Sequence, residues 1–138
     1  MIAYLDSSIV LRVVLGQRGM LREWKIIETG VASALLEVEC LRTLDRLRLL
    51  EGIPDGEIAR RREAVYRIVE ALTVIEPTRP VLARAAQPFP VVLGTLDAIH
   101  LATALVWRER SVADLVMATH DASLGLAARA VGFPVIGV

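Results

Sequence analysis

The sequence holds one cysteine, Cys40, and two histidines, His100 and His120. A single cysteine excludes an internal disulfide framework and fits a reducing compartment, with Cys40 itself read as a small buried hydrophobe. One cysteine and two histidines are also too few for a structural zinc site at the usual ligand spacing. Neither Gly-x-Gly-x-x-Gly nor the Walker pattern occurs, so no glycine-rich loop is present to cradle a phosphate. No Gly-x-Ser-x-Gly elbow supports a Ser-His-Asp triad. Long hydrophobic runs are missing too: the longest uncharged stretch, 85–96, is broken by Pro88 and Pro90, well short of the roughly 20 apolar residues that span a bilayer. Met1 leads straight into the apolar run 2–5 without the basic start and long apolar core of a signal peptide. These absences lead to the expectation of a soluble, cytoplasmic protein.

What is present suits a single domain covering 1–138, because 138 residues with 54% apolar content can bury a genuine core unaided. Sixteen basic residues balance sixteen acidic ones, so any nucleic-acid footprint must be a local patch and not a global charge. Lys25 is the only lysine. A GC-rich genome accounts for the excess of arginine before any selection for phosphate contacts is invoked.

Hydrophobic spacing predicts strands at 2–5, 31–33, 72–75, 115–119 and 134–138. Helical spacing covers 9–15, 21–28 with Gly30 as its stop, 35–50, 57–71 capped by Asp55, a short 81–86, 96–108 capped by Thr95, and 122–131 stopped by Gly132. Leu36, Cys40, Leu44 and Leu47 share one stripe of the 35–50 helix, and Arg60, Arg61 and Arg62 are assigned to the solvent face of 57–71. The segment 87–94 is a proline-rich loop. Short apolar strands alternating with amphipathic helices predict an α/β fold: a three-layer α/β/α sandwich with a mainly parallel sheet.

In an open parallel sheet, ligands bind beyond the carboxyl ends of the strands. Asp6 directly follows the first strand, and Asp121 stands two residues beyond Thr119 at the end of another, so both face the same rim. Asp97 lies in the first turn of its helix, where dipole compensation alone would explain an acid; helix capping would equally explain Asp6. Glu39 and Glu37 flank the apolar stripe of the same helix on opposite sides, and periodicity does not choose between them. Acids clustered without a nearby lysine disfavour joint ionisation. Magnesium or manganese, hard cations taking oxygen ligands, relieves that repulsion and can activate water against a phosphodiester. His100, three residues after Asp97, reads as a buried supporting residue, and His120 as an exposed loop residue. Trp24 and Trp107 read as core or interface residues.

At this point the motifs Tyr4-Leu5-Asp6-Ser7-Ser8, Ser33 through Glu39 to Arg42, Thr95-Leu96-Asp97-Ala98-Ile99-His100-Leu101-Ala102 and Thr119-His120-Asp121 can be taken together. Their order and spacing make the chain resemble PIN-domain nucleases, specifically the VapC-type toxins of bacterial and archaeal toxin–antitoxin pairs. The resemblance runs the length of the chain. It implies that Asp6, Glu39, Asp97 and Asp121 hold Mg2+ or Mn2+ and are the catalytic acids, with Ser8 and Thr119 supporting them. It selects Glu39 over Glu37 through the Ser33-to-Glu39 spacing and Glu39-x-x-Arg42. It further implies metal-dependent endoribonuclease activity on an RNA substrate leaving a 5′-phosphate, a homodimer, and a cognate antitoxin protein that blocks the site. The helices 35–50 and 57–71 are the expected walls of an apolar antitoxin groove.

Other readings fit less well. Haloacid-dehalogenase phosphatases need a second Asp two residues after the first, where this chain has Ser8, and a response-regulator receiver needs a lysine that Lys25 is badly placed to supply. A housekeeping RNA-processing nuclease, or a non-catalytic dimerisation module of the same fold, are the remaining alternatives. Asp114 precedes its strand and so faces the opposite rim.

Overall fold

The computed structural model describes residues 1–138. Five short strands, β1 (Ile2–Leu5), β2 (Thr29–Ser33), β3 (Thr73–Ile75), β4 (Val116–Ala118) and β5 (Val135–Ile136), form one sheet in the order β3-β2-β1-β4-β5. Every pairing is parallel. The helices are α1 (Ser7–Val14), α2 (Leu35–Glu51), α3 (Asp55–Glu70), α4 (Arg79–Ala85), α5 (Thr95–Arg110) and α6 (Ala122–Ala130). None is long and apolar enough to cross a membrane.

Side chains alternate across a strand, and the central strands show what each face covers. Ala3, Leu5, Ala32 and Ala118 point into one core with Ile9, Val10, Leu36, Cys40, Leu44 and Val65 of α1, α2 and α3. Tyr4, Val31 and Met117 point into the other with Leu101, Leu105, Leu124 and Ala128 of α5 and α6. Both faces are thus buried under helices, which is the expected α/β/α sandwich and the reason the strands read as continuous apolar runs. Trp24 packs against the first core and Trp107 against the second. Helix α4 lies outside this sandwich proper, with Val81 against Ala102 and Val106 of α5.

The chain builds outward from β1 to β3, then crosses back to lay β4 on the other side of β1. The strand order therefore reverses between β1 and β4, and their carboxyl ends open a crevice at that switch point.

Local differences from the sequence reading have physical causes. The expected helix at 21–28 is one 3-10 turn, Arg22–Ile26, because Glu28 N–H already donates to Met1 O (2.9 Å) to start the β1–β2 ladder and leaves no room for an α-helix. Gly30 does not stop that turn but lies within β2, opposite Ala3. A Cβ there would come 2.4 Å from Leu72 Cδ2 and 3.3 Å from Leu5 Cδ1, so the close approach explains the glycine. Neither Asp55 nor Thr95 is a cap: each is the first helical residue, and Pro54 and Gly94 occupy the cap positions. Arg61 and Arg62 are half-buried and only Arg60 is exposed, Arg61 being drawn onto Glu57 at 2.6 Å. The cleft between α2 and α3 is lined by Asp45, Arg48, Asp55 and Arg62 around Leu44 and Ile58. It is polar, not the expected apolar groove. An apolar recess of about 350 Å³ lies instead under Trp24, Ile27, Ile68, Ala71 and Leu72, with no site acid in its lining.

Candidate active site

Asp6 is the residue at which β1 becomes α1. Its backbone N–H still donates to Ala118 O (3.2 Å), continuing the β1–β4 ladder by one bond. The residue is only 4% exposed, yet it makes no ion pair. Its carboxylate does not cap the helix it precedes. Three hydroxyls serve it instead: Ser8 donates to Oδ2 at 2.5 Å, Thr119 to the same oxygen at 2.8 Å, and Ser7 to Oδ1 at 3.3 Å. Burying a carboxylate this far is costly without such partners. The capping explanation for Asp6 therefore falls.

The same hydroxyls tie the two strand ends together. Ser8 Oγ accepts from His120 N–H (2.9 Å) while donating to Asp6, and Thr119 Oγ1 accepts from Asp121 N–H (2.9 Å). Asp121 does serve as a helix cap, its Oδ1 accepting from Leu124 N–H at 2.8 Å, so the ordinary structural role and a place at the rim coincide in one residue.

Glu39 enters from the second turn of α2. Its Oε2 lies 3.3 Å from Ser7 Oγ, so the one Ser7 proton is shared between Glu39 and Asp6, and its Oε1 is paired with His100 Nε2. The sequence reading missed Ser7, although a second hydroxyl beside an acid was a visible signal. Glu37 lies on the other side of α2, in a recess with Val69, Leu72, Val74 and Glu76.

Behind the acids stands a buried relay. His100 is fully buried on α5, with Nδ1 at 2.9 Å from the Tyr4 hydroxyl, which also accepts from Ser33 N–H at 3.2 Å. With the tyrosine donating, a neutral ring carries its proton on Nε2 and gives it to Glu39. His100 is thus a supporting residue, as expected, while the part played by Tyr4 was hidden in an apolar run. His120 is not an exposed loop side chain: it is half-buried, its Nδ1 donates to Gly137 O at 2.9 Å, and its Nε2 is buried without a partner.

Asp97, half-buried in the first turn of α5, makes no hydrogen bond that caps the helix. Burial, then the charges of Asp121, Asp6 and Glu39, push its pKa up to about 6, against a smaller opposing pull from His100. Asp97 thus lies within the field of the other three acids. Burial works against charge on His100, but Glu39 outweighs it and the net shift is upward. Burial also raises the Cys40 thiol to about 12, leaving it inert packing, as read from the sequence.

A stability test follows from Asp97. An acid with a raised folded pKa holds its proton longer in the native state, so its contribution declines as pH rises through the window from 3.8 to about 6. In chelator, the melting temperature of Asp97→Asn should fall less than that of wild type across this window, and the variant should be the more stable at pH 7. Parallel profiles would show that the four acids do not share a field.

No three His, Cys, Asp or Glu side chains converge tightly enough to grip a metal ion as they stand. The donor chemistry nonetheless fits a hard cation: carboxylate and hydroxyl oxygens, Asp6 held by neutral donors, and no Lys or Arg hydrogen-bonded or ion-paired to any of the four acids.

A family model described as PIN domain matches residues 3–129. Over 137 residues the chain is 33% identical to Ribonuclease VapC46 of Mycobacterium tuberculosis, spanning 96% of this chain and 95% of that protein. It is 28% identical to Ribonuclease VapC47 of the same species, spanning 94% and 92% respectively. A chain of a toxin-antitoxin complex from Klebsiella pneumoniae superposes with a TM-score of 0.62 over 88% of this chain and 87% of its own, at 16% identity, a likeness of fold alone. With the matched model covering all four motif blocks from Tyr4 to Asp121 and relatives aligned nearly end to end, the chain belongs to the PIN domain family.

Proposed function

We propose that this protein is a magnesium- or manganese-dependent endoribonuclease and the toxin of a type II toxin–antitoxin pair. The observation that carries the reading is Asp6: a carboxylate 4% exposed, at the switch point of a parallel sheet, satisfied by three hydroxyls and by no cation. A structural acid this deep is ordinarily paired with a basic side chain. This one has other acids as its charged neighbours, which is unfavourable unless a cation completes it.

Asp6, Glu39, Asp97 and Asp121 would hold the metal, with Ser8 and Thr119 fixing Asp6. When bound, it supplies a Lewis acid for the phosphodiester and an activated water. The chain's own groups do the rest. Hydroxyl donors to both Asp6 oxygens keep its orientation, and Tyr4 and His100 fix the rotamer of Glu39 from behind. Exposed Asp121 and half-buried Asp97 leave the rim open to a polymer.

The toxin assignment rests on the similarity to two VapC ribonucleases and on an acid site that would receive an arginine bidentately from a blocking peptide. Homodimerisation and a cytoplasmic site of action belong to the same reading. Expression of the chain alone in a bacterial host should arrest growth, and co-expression with the adjacent gene should relieve it and yield a co-purifying complex. Harmless high-level expression with no binder from the operon would leave a housekeeping nuclease as the reading.

A further inference from the structure

Most arginines of this chain are already committed. Arg48, Arg61, Arg67 and Arg84 pair with Asp45, Glu57, Glu63 and Glu109, and others donate to Tyr66 or to backbone carbonyls. Arg42 and Arg46 are exposed on α2 and make neither an ion pair nor a hydrogen bond. They are one helical turn apart and so share a face, with about 6 Å between successive positions. Both line an open cleft of about 380 Å³ whose other walls are Leu35, Val38, Thr43, Leu96 and Glu39 itself. Val38 and Leu96, 58% and 50% exposed, give this cleft an apolar floor.

A nuclease built on acids has an electrostatic problem: its own site repels the polyanion it must cut. Overall charge does not solve it, since the chain is formally neutral. Uncompensated guanidiniums beside the acids do, because they retain the strand while the acids face only the scissile group. The placement of these two in a cleft shared with a site carboxylate distinguishes them from the other free arginines.

Building on the nuclease reading, we propose that Arg42 and Arg46 grip two consecutive phosphates of a single RNA strand, on one side of the cut, while Val38 and Leu96 support a ribose or base between them. The contact is with backbone charge, so it contributes affinity and register but no base preference.

The test is fluorescence anisotropy of a labelled single-stranded RNA of mixed sequence, in chelator so that nothing is cut, over a series of salt concentrations. Arg42→Ala/Arg46→Ala should weaken binding on the order of tenfold at low salt, and should flatten the log–log salt slope by about 1.4, at about 0.7 per lost contact. Arg42→Lys/Arg46→Lys should restore most of the slope, and Arg84→Ala, whose arginine is paired on α4, should match wild type. With magnesium, the alanine pair should raise KM far more than it lowers kcat. If the alanine pair keeps wild-type affinity and slope while wild type cuts RNA, this inference falls and the nuclease reading stands. If the lysine pair is as weak as the alanine pair, backbone charge is not what is held and the inference also falls. Wild type that neither binds nor cuts RNA removes both.

Discussion

Asp6→Asn is expected to lower metal-dependent RNA cleavage by on the order of a thousandfold, equivalent to roughly 4 kcal/mol of lost transition-state stabilisation. Asparagine keeps the shape and still offers one oxygen to the Ser8 and Thr119 hydroxyls. What it loses is the charge at the most buried position of the cluster. The fold should be indifferent or better off, because one member of a mutually repelling group has been neutralised. The diagnostic is therefore a dissociation of two measurements. In chelator, the melting temperature of the variant should equal or exceed that of wild type. On adding magnesium or manganese, wild type should gain stability by mass action and the variant should gain much less. Retained cleavage in the variant, or in wild type under excess chelator, would remove the acid cluster from the chemistry.

The second large effect separates two acids that differ by two positions. Glu39→Gln should cost about a hundredfold or more in cleavage, while Glu37→Gln should stay within a few-fold of wild type. Glutamine at 39 can still accept from His100 Nε2 through its one oxygen and turn its amide N–H toward Ser7 Oγ, so the rotamer is preserved and the charge is what is tested. Its loss also removes the partner that holds the His100 pKa up, so the imidazole signals should titrate at lower pH in the variant. Glu37 shares its recess with Glu76 and aliphatic side chains, on the far side of α2 from the acids. Greater sensitivity at 37 than at 39 would mean that the cluster is organised from the other face of the helix.

The strands and the layer order were legible because both faces of a parallel sheet are buried, so each strand is an unbroken apolar run between polar segments. Positions after strand ends were legible for the same reason, and that sufficed for Asp6 and Asp121. Position relative to a helix stripe was not enough for Glu39. A long helix between a sheet and a neighbouring helix has two borders, and either can carry an acid; motif resemblance selected one, and only tertiary packing showed which border meets Ser7 and His100. Ser7 and Tyr4 were illegible for a different reason. A hydroxyl beside an acid, or a tyrosine in a strand, has an adequate local explanation, and its partner lies far along the chain. The caps were misjudged at Thr95 and Asp55 because Gly94 and Pro54, one residue earlier, adopt the extended backbone that a cap position requires. The 21–28 segment has helical periodicity, but strand pairing at Glu28 outcompetes a helix that would gain only two turns.

The bond from Thr119 to Asp6 joins residues 113 positions apart, and that distance has a consequence for biosynthesis. A ribosome delivers β1, all three long helices and three of the four acids before it delivers β4. Until β4 docks beside β1, Asp6 lacks its Thr119 donor, Ser8 lacks His120 N–H, and Asp121 is absent altogether. Local helices form early, whereas pairing across such a sequence separation waits for loop closure. A nascent or prematurely terminated chain therefore carries an unassembled site. On the toxin reading proposed above, the site is complete only once β4 and Asp121 have been translated, an interval in which a separately encoded antitoxin could be completed.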